Sequence, residues 1–144
     1  MIEDLLSVRT NISAIFIRTA FRKSKSKSLE ILSIRENIKD CSQVFSTVDD
    51  NIFRGLAFVS RNLIYGLILN GLKGLYTRVG RYYFSDPKAR QLACRFYHDL
   101  AKICEQENND LVLDRVRSYG KDSGNIWREM KDKDNMINNL SELR

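Results

Sequence analysis

The sequence predicts an all-α protein, a single antiparallel bundle of about six or seven helices around a central apolar helix. Three observations support this fold class. Apolar residues recur at helical spacing in nearly every segment, no segment competes with a strand pattern, and 144 residues with one proline suit a single domain with a sizeable core. Because the connecting segments are short, consecutive helices are expected to run antiparallel.

The first third of the chain predicts two helices joined by a loop. Leu5 and Val8 share the apolar face of a helix expected over about residues 2–22. The alternating Lys/Ser segment 23–28 is polar, so we expect a mobile loop there. A weaker helical pattern follows over roughly residues 29–44.

The middle of the chain predicts the central helix. Thr47, with Asp50 three residues later, is a plausible N-cap of a third helix that ends near Ser60. Asn62 is expected to cap a fourth helix that reaches about Phe84. This fourth helix is apolar on almost every side, so we expect the other helices to surround it.

Two further helices and a tail complete the prediction. Asp86 followed by Pro87 is a strong helix start, because proline fits the first helical position, and this fifth helix is expected to end near Glu105. Asn108 or Asn109 would cap a sixth helix that reaches about Lys131. The polar tail, residues 132–144, is expected to fray.

Charge and composition restrict the class of protein. The net charge is +6, but the only local basic cluster is the Lys/Ser segment, so a solvated loop is favoured over a DNA-binding face. The charge suits any polyanion, including nucleotide phosphates. No signal peptide or membrane span is expected, and the three cysteines, Cys41, Cys94 and Cys104, fit reduced core thiols. We therefore expect a cytoplasmic protein.

Glycines in two helices are unusual. The fourth helix contains Gly66, Gly71, Gly74 and Gly80, and each glycine costs about 1 kcal/mol relative to alanine, so close approach of another helix or of a ligand is expected. In the last helix, Gly120 and then Ser123 or Gly124 interrupt the apolar stripe between Tyr119 and Trp127. Either a neighbouring side chain fills this gap or a cavity opens there for a ligand.

Arg9 lies on the apolar stripe of the first helix and therefore points toward the interior. A buried guanidinium needs a partner, which can be a protein carboxylate or a ligand phosphate. The sequence alone leaves both alternatives open.

Catalytic patterns are lacking, and we do not expect an enzyme. His98 is the single histidine and shows no metal-ligand spacing, and no nucleophile has an accompanying base. The neighbouring carboxylates Asp49 and Asp50 fall at a predicted helix start, where capping explains them. No metal site and no cofactor are predicted.

Five stretches of the chain carry a family resemblance: Leu5–Ser13, Asn51–Phe58, Ile64–Gly71, Gly74–Arg78 and Arg117–Trp127. They resemble the effector-binding domain of the FadR family, in the GntR superfamily of transcription regulators. The resemblance covers roughly residues 4–131 and is weaker in the Lys/Ser region.

The resemblance implies a helical domain, residues 1–131, that binds a long-chain fatty acyl-CoA and regulates transcription of fatty acid metabolism genes. It also implies that operator DNA is bound only through an N-terminal winged-helix domain absent from this chain, and that the full-length protein is a homodimer. The residues that it places at the ligand are Arg9, Tyr119, Gly120, Ser123 and Trp127, with Leu5, Leu6, Phe53, Tyr76 and Tyr83 around the cavity. Asp122 departs from the family, which usually has glutamate there.

Two alternatives remain at this stage. A related class within the superfamily binds small carboxylates through a metal held by an aspartate and three histidines. Here Phe53 and Gly120 stand about where two of those histidines are expected, which makes a metal site unlikely by resemblance. The other alternative is a structural helical bundle without a ligand.

Overall fold

The prediction of an all-α bundle is confirmed by a computed structural model that describes residues 2–142, in which we find seven α-helices, two short 3-10 segments and no strand. The helices are α1 (Ile2–Lys23), α2 (Lys25–Leu32), α3 (Ser42–Val59), α4 (Leu63–Gly71), α5 (Lys73–Tyr83), α6 (Pro87–Glu105) and α7 (Val112–Glu142). The 3-10 segments span Ser33–Asn37 and Asn109–Leu111. Within residues 2–142, no helix is both long and apolar enough to cross a membrane.

Two predicted helix starts are confirmed by their capping bonds. The Asp86 side chain accepts a hydrogen bond of 2.9 Å from the backbone N–H of Lys88, with Pro87 as the first residue of α6. The Asn62 side chain accepts a bond of 3.0 Å from the N–H of Ile64 at the start of α4. Local capping chemistry therefore marks both helix starts.

The predicted loop at residues 23–28 is wrong, because α2 begins at Lys25. The Ser24 hydroxyl accepts from the N–H of Lys27 and caps the helix, and Ser28 and Leu32 are fully buried. Lys25 and Lys27 face solvent, whereas Ser28 faces the bundle. The alternating polar pattern hid this packing, since serine at a buried position carries no apolar signal.

The predicted helix over 29–44 is also wrong, as is the predicted cap at Thr47. The chain leaves the helical conformation after Asn37 and re-enters it at Ser42. Thr47 lies inside α3, where its hydroxyl donates a bond of 3.1 Å to the carbonyl of Gln43. A threonine inside a helix commonly donates such a hydrogen bond to the carbonyl one turn earlier. A hydroxyl that is engaged in this way does not cap a helix start.

The expected central helix is wrong in both length and position. A break at Leu72 divides it into α4 and α5, and α4 lies at the surface with only Leu69 buried. Leu63 and Leu67 are 82% and 65% exposed. A helix that is apolar on every side does not indicate which side faces the core. In this fold, few neighbouring residues cover α4. The helix with nine buried residues is α6, which packs on α7 and α2 and contacts α3 through Phe96 and Tyr97.

The glycines of α4 and α5 mostly face open space. A Cβ at Gly66, Gly71 or Gly74 would meet nothing within 4 Å, so no other helix approaches closely at these positions. At Gly80 the expectation holds, because a Cβ would lie 2.6 Å from the Ser46 hydroxyl on α3. Gly80 thus permits the packing of α5 on α3.

The predictions for the C-terminus and the cysteines need correction. α7 starts only after the 3-10 turn that follows Asn108, and it continues through Glu142, so the described part of the tail is helical rather than frayed. The last two residues of the predicted tail lie outside the described range. Cys104 is buried as expected, but Cys41 and Cys94 are exposed and are not core thiols.

Candidate ligand cavity

A small, mostly apolar cavity lies between α1, α3, α5 and α7, beside the glycine turn of α7. Its volume is about 70 Å³. An apolar cavity of roughly 150 Å³ holds one benzene molecule, so this space is too small for a long acyl chain. The lining residues are Leu6, Arg9, Thr10, Ser13, Phe53, Tyr76, Val79, Gly80, Tyr83, Phe84, Val116, Tyr119, Gly120, Ser123, Gly124 and Trp127.

An ion pair borders the cavity and connects three helices. The Arg9 guanidinium on α1 donates a bond of 2.5 Å to one carboxylate oxygen of Asp49 on α3. The Tyr97 hydroxyl on α6 donates to the other oxygen. The side chains of Arg9 and Asp49 are only 20% and 6% exposed. The partner that Arg9 requires is therefore a protein carboxylate in this state.

The charges of this cluster are strongly coupled. Burial by itself lowers the pKa of the Arg9 guanidinium, but the adjacent Asp49 carboxylate outweighs it, and the pKa is raised. The pKa of Tyr97 is also raised, mainly by burial and secondly by the adjacent Asp49 carboxylate. The Arg9 guanidinium also lies 3.8 Å from the centroid of the Phe53 ring, an arrangement that favours a cation. Arg9 thus remains charged beside the cavity.

Two hydroxyls that line the cavity have no hydrogen-bond partner within residues 2–142: Tyr83 Oη and Ser123 Oγ are both buried. Burial raises the pKa of Tyr83 to about 12; Ser123 lies near enough to oppose this shift slightly, although no well-formed hydrogen bond joins the two groups. Buried polar groups are nearly always satisfied in folded proteins. A polar ligand atom in the cavity would satisfy these two.

The gap in the apolar stripe of α7 is partly filled by α1. A Cβ on Gly120 would lie 2.5 Å from Cγ2 of Thr10, so the two helices touch there. Tyr119 lines the cavity and stacks on Phe96, with ring centroids 4.0 Å apart. Ser123, one turn further, faces the remaining space. Both alternatives from the sequence hold in part, since a neighbour fills the gap at Gly120 and a cavity remains at Ser123.

A basic groove runs along the outer side of the contact between α1 and α7. It has a volume of about 310 Å³ and shares Leu6, Thr10, Gly120 and Trp127 with the cavity. Arg117, Lys121 and Arg128 line it, and the one acidic lining residue is Glu3, 3.9 Å from Arg128. The cavity and the groove are thus separated by the contact between Thr10 and Gly120.

Nine of the ten residues predicted at the ligand line this cavity; the exception is Leu5. The Leu5 carbonyl instead accepts a hydrogen bond of 3.4 Å from the Tyr76 hydroxyl. Leu5 thus contacts a residue of the cavity lining without lining the cavity itself. Binding of a ligand by these residues stays a prediction. Asp122, which departs from the family pattern, is exposed on α7.

Sequence reasoning missed Asp49 and Tyr97. Asp49 was interpreted as part of a helix start, which is wrong, because it lies within α3 one turn before the buried Phe53. That spacing was the available signal, since residues four apart share a helix face. His98 is exposed on α6, and residues 2–142 contain no group of three or more His, Cys, Asp or Glu side chains placed to hold a metal.

The fold and this site define a class: all-helical domains with an apolar pocket, a buried ion pair and a basic groove beside it. Residues 1–140 match the family described as FadR C-terminal domain. The chain is 59% identical to the fatty acid metabolism regulator protein of Enterobacter sp. (strain 638), and 60% identical to the proteins of that name from Klebsiella pneumoniae (strain 342) and Proteus mirabilis (strain HI4320).

Each of these matches spans 131 residues, which is 91% of this chain and 55% of the relative. The chain therefore belongs to the FadR C-terminal domain family. It spans about half the length of the curated relatives it matches.

Proposed function

We propose that this chain is the effector-sensing domain of a transcription regulator of fatty acid metabolism, and that its effector is a long-chain fatty acyl-CoA. The observation that carries the proposal is the pairing of an apolar cavity, with two unsatisfied hydroxyls, and an adjacent basic groove. A fatty acyl-CoA has matching parts: an apolar chain, a thioester carbonyl that accepts hydrogen bonds and a nucleotide head that carries phosphates.

The apolar cavity would take the acyl chain. Burying sixteen carbons at about 0.8 kcal/mol per methylene yields roughly 13 kcal/mol, enough for sub-micromolar affinity after the costs of association. A volume of about 70 Å³ cannot hold this chain, so the ligand must move helices to enter. The contact between Thr10 and Gly120 is the one that separates cavity from groove, and it is the contact that opening would break.

The basic groove would take the head. Arg117, Lys121 and Arg128 supply three cations for the phosphates of CoA, and one acidic residue opposes them. The thioester carbonyl, between head and chain, would accept from the hydroxyl of Tyr83 or Ser123. The polar and apolar parts of the ligand would then lie on the two sides of Gly120.

Movement of α1 connects the site to regulation. A ligand that fits only the opened bundle shifts the protein toward that state. In the full-length homodimer, displacement of α1 would alter the DNA-binding domains that the family places before it and weaken operator binding. Unchanged operator affinity of the full-length protein at saturating acyl-CoA would exclude this mechanism.

The direct test is calorimetric titration of the chain with acyl-CoAs of increasing chain length, using Ser123→Leu and a matched control, Ser118→Leu. Ser118 is exposed on the same helix. We expect wild type and the control to bind long chains, and Ser123→Leu to bind at least about tenfold more weakly, because the new side chain occupies the cavity and removes a donor. Absence of binding by wild type would favour a structural bundle without a ligand.

A further inference from the structure

The indole of Trp127 forms a wall of the cavity that faces solvent on its other side. Trp127 lines the cavity, and it also borders the basic groove and a second open groove of about 620 Å³ that contains Ile2, Arg78 and Lys131. The residue itself is only 7% exposed. The indole therefore borders the candidate ligand cavity and two open grooves, next to the contact between Thr10 and Gly120.

The ring of Tyr82 on α5 packs against this indole. The two ring centroids are 5.3 Å apart, with an interplanar angle of 78°, which is the favourable edge-to-face arrangement. Tyr82 does not itself line the cavity. Its effect on the cavity must therefore act through Trp127.

The C-terminal part of α7 fixes Tyr82 in turn. The Tyr82 hydroxyl donates to the carboxylate of Asp134, which lies 52 residues further along the chain. Lys131 Nζ lies 5.5 Å from the Tyr82 ring centroid and 5.8 Å from that of Trp127. Asp134 is half-buried, whereas the other residues from 131 to 142 are exposed. The otherwise solvent-exposed end of α7 thus touches the bundle at the aromatic pair.

We propose that Tyr82, Lys131 and Asp134 are positioning residues that hold the Trp127 indole in the cavity wall, so that they set how fast an apolar ligand enters. The indole must move or open for a chain to pass on this side, and the hydrogen bond to Asp134 resists rotation of Tyr82 away from it. This inference rests on the proposed function for the entry step alone, because the holding of the indole is a property of the ligand-free protein.

The chain offers a direct probe, because Trp127 is its single tryptophan. Acrylamide quenching of the fluorescence excited at the red edge of the absorption band, where tyrosine does not absorb, therefore reports the accessibility of this indole. We expect Tyr82→Phe and Asp134→Ala to increase the quenching constant about two- to tenfold, the range spanned by the net contribution of one hydrogen bond. Matched controls are Tyr65→Phe on α4, which packs on Phe16, and Asp132→Ala, which is exposed beside Asp134. Both should quench like wild type.

Stopped-flow mixing with palmitoyl-CoA tests the entry step. Tyr82→Phe and Asp134→Ala should bind with an association rate about two- to tenfold faster than wild type, while thermal melts show an intact fold. Unchanged quenching in both variants would overturn the holding of the indole, whether or not palmitoyl-CoA binds. Increased quenching with unchanged association rates would overturn the control of entry. If quenching increases in the two variants but wild type does not bind palmitoyl-CoA, the positioning of the indole is supported and the proposed function is rejected.

Discussion

At the scale of single residues, Asp49 carries the charge balance of the cavity. It is the carboxylate that compensates the mostly buried Arg9 guanidinium, and it also accepts from Tyr97. Removing one member of a buried ion pair destabilises the protein by more than the intact pair stabilises it. The remaining charge stays buried without a partner, so nothing offsets its desolvation penalty.

The variant Asp49→Asn should therefore lose about 2–4 kcal/mol in the free energy of unfolding, a range below that for a fully buried pair because Arg9 retains some exposure. Urea denaturation provides the measurement. The matched control is Asp50→Asn, since Asp50 pairs with Arg54 at 3.0 Å on the more exposed side of α3. We expect a loss of about 0–1 kcal/mol there. Equal losses in the two variants would contradict the central role of Asp49.

Gly120 and Gly74 give a second matched pair, because both are helical glycines in very different surroundings. Gly120→Ala places a methyl group 2.5 Å from Thr10, and the overpacking should destabilise the protein by about 1–3 kcal/mol, partly offset by better helix propensity. Gly74→Ala meets nothing within 4 Å and should stabilise by about 0.5–1 kcal/mol. Thermal melts of both variants would show opposite signs if the contact between α1 and α7 is as close as the structure has it.

The buried tyrosines predict a loss of stability at alkaline pH. Burial raises the pKa of Tyr83 to about 12, so the folded state holds this proton at pH values where the unfolded chain, with a pKa near 10, releases it. The unfolded state then binds fewer protons, and stability falls as the pH rises from about 10 to about 12. Tyr83→Phe should lose less stability over this range than wild type or Tyr65→Phe, as measured by urea unfolding at several pH values.

At the scale of helices, the accuracy of the sequence-based prediction depended on local signals. The bounds of α1 and α6 were predicted to within about two residues, because an amphipathic stripe and a proline-plus-aspartate start specify them. Segment 23–28 and the division between α4 and α5 were not, because Ser28 is buried despite being polar and α4 is exposed despite being apolar. The burial of these residues depends on which other helices cover them. The local sequence pattern does not contain that information.

The same limit applies to the site. Family resemblance supplied nine of the sixteen residues that line the cavity, whereas the pairing of Arg9 with Asp49 needs two helices brought together across 40 residues. The small volume of the cavity was not predictable either. It depends on how closely α1 approaches α7 at Gly120, a distance that only the assembled bundle determines.

The N-cap of α2 allows a test of an element that the sequence pattern concealed. Ser24→Ala removes the acceptor for the Lys27 N–H and should cost about 1 kcal/mol in the free energy of unfolding. Chemical denaturation of this variant beside Ser118→Ala, an exposed serine within α7, isolates the capping contribution. Identical stabilities would mean that residues 25–32 do not form a capped helix.

At the scale of the whole molecule, the proposed opening should be visible as a redistribution of backbone protection. Acyl-CoA binding that separates α1 from α7 should accelerate amide hydrogen exchange in the first two turns of α1 and slow it around the filled cavity. Exchange in α6, whose nine buried residues form much of the core, should change little. Uniform slowing in every helix would indicate a ligand that binds the closed bundle without moving it.

The surface position of α4 has a consequence for the behaviour of the domain in concentrated solution. Phe58, Leu63 and Leu67 together present an apolar area to water, and the net charge of +6 provides the repulsion between copies that opposes their adhesion. Salt shortens the reach of that repulsion to about 8 Å at physiological ionic strength. The salt concentration should therefore control whether this domain stays dispersed. At low salt the charge repulsion keeps the molecules apart, and at high salt their apolar surfaces associate.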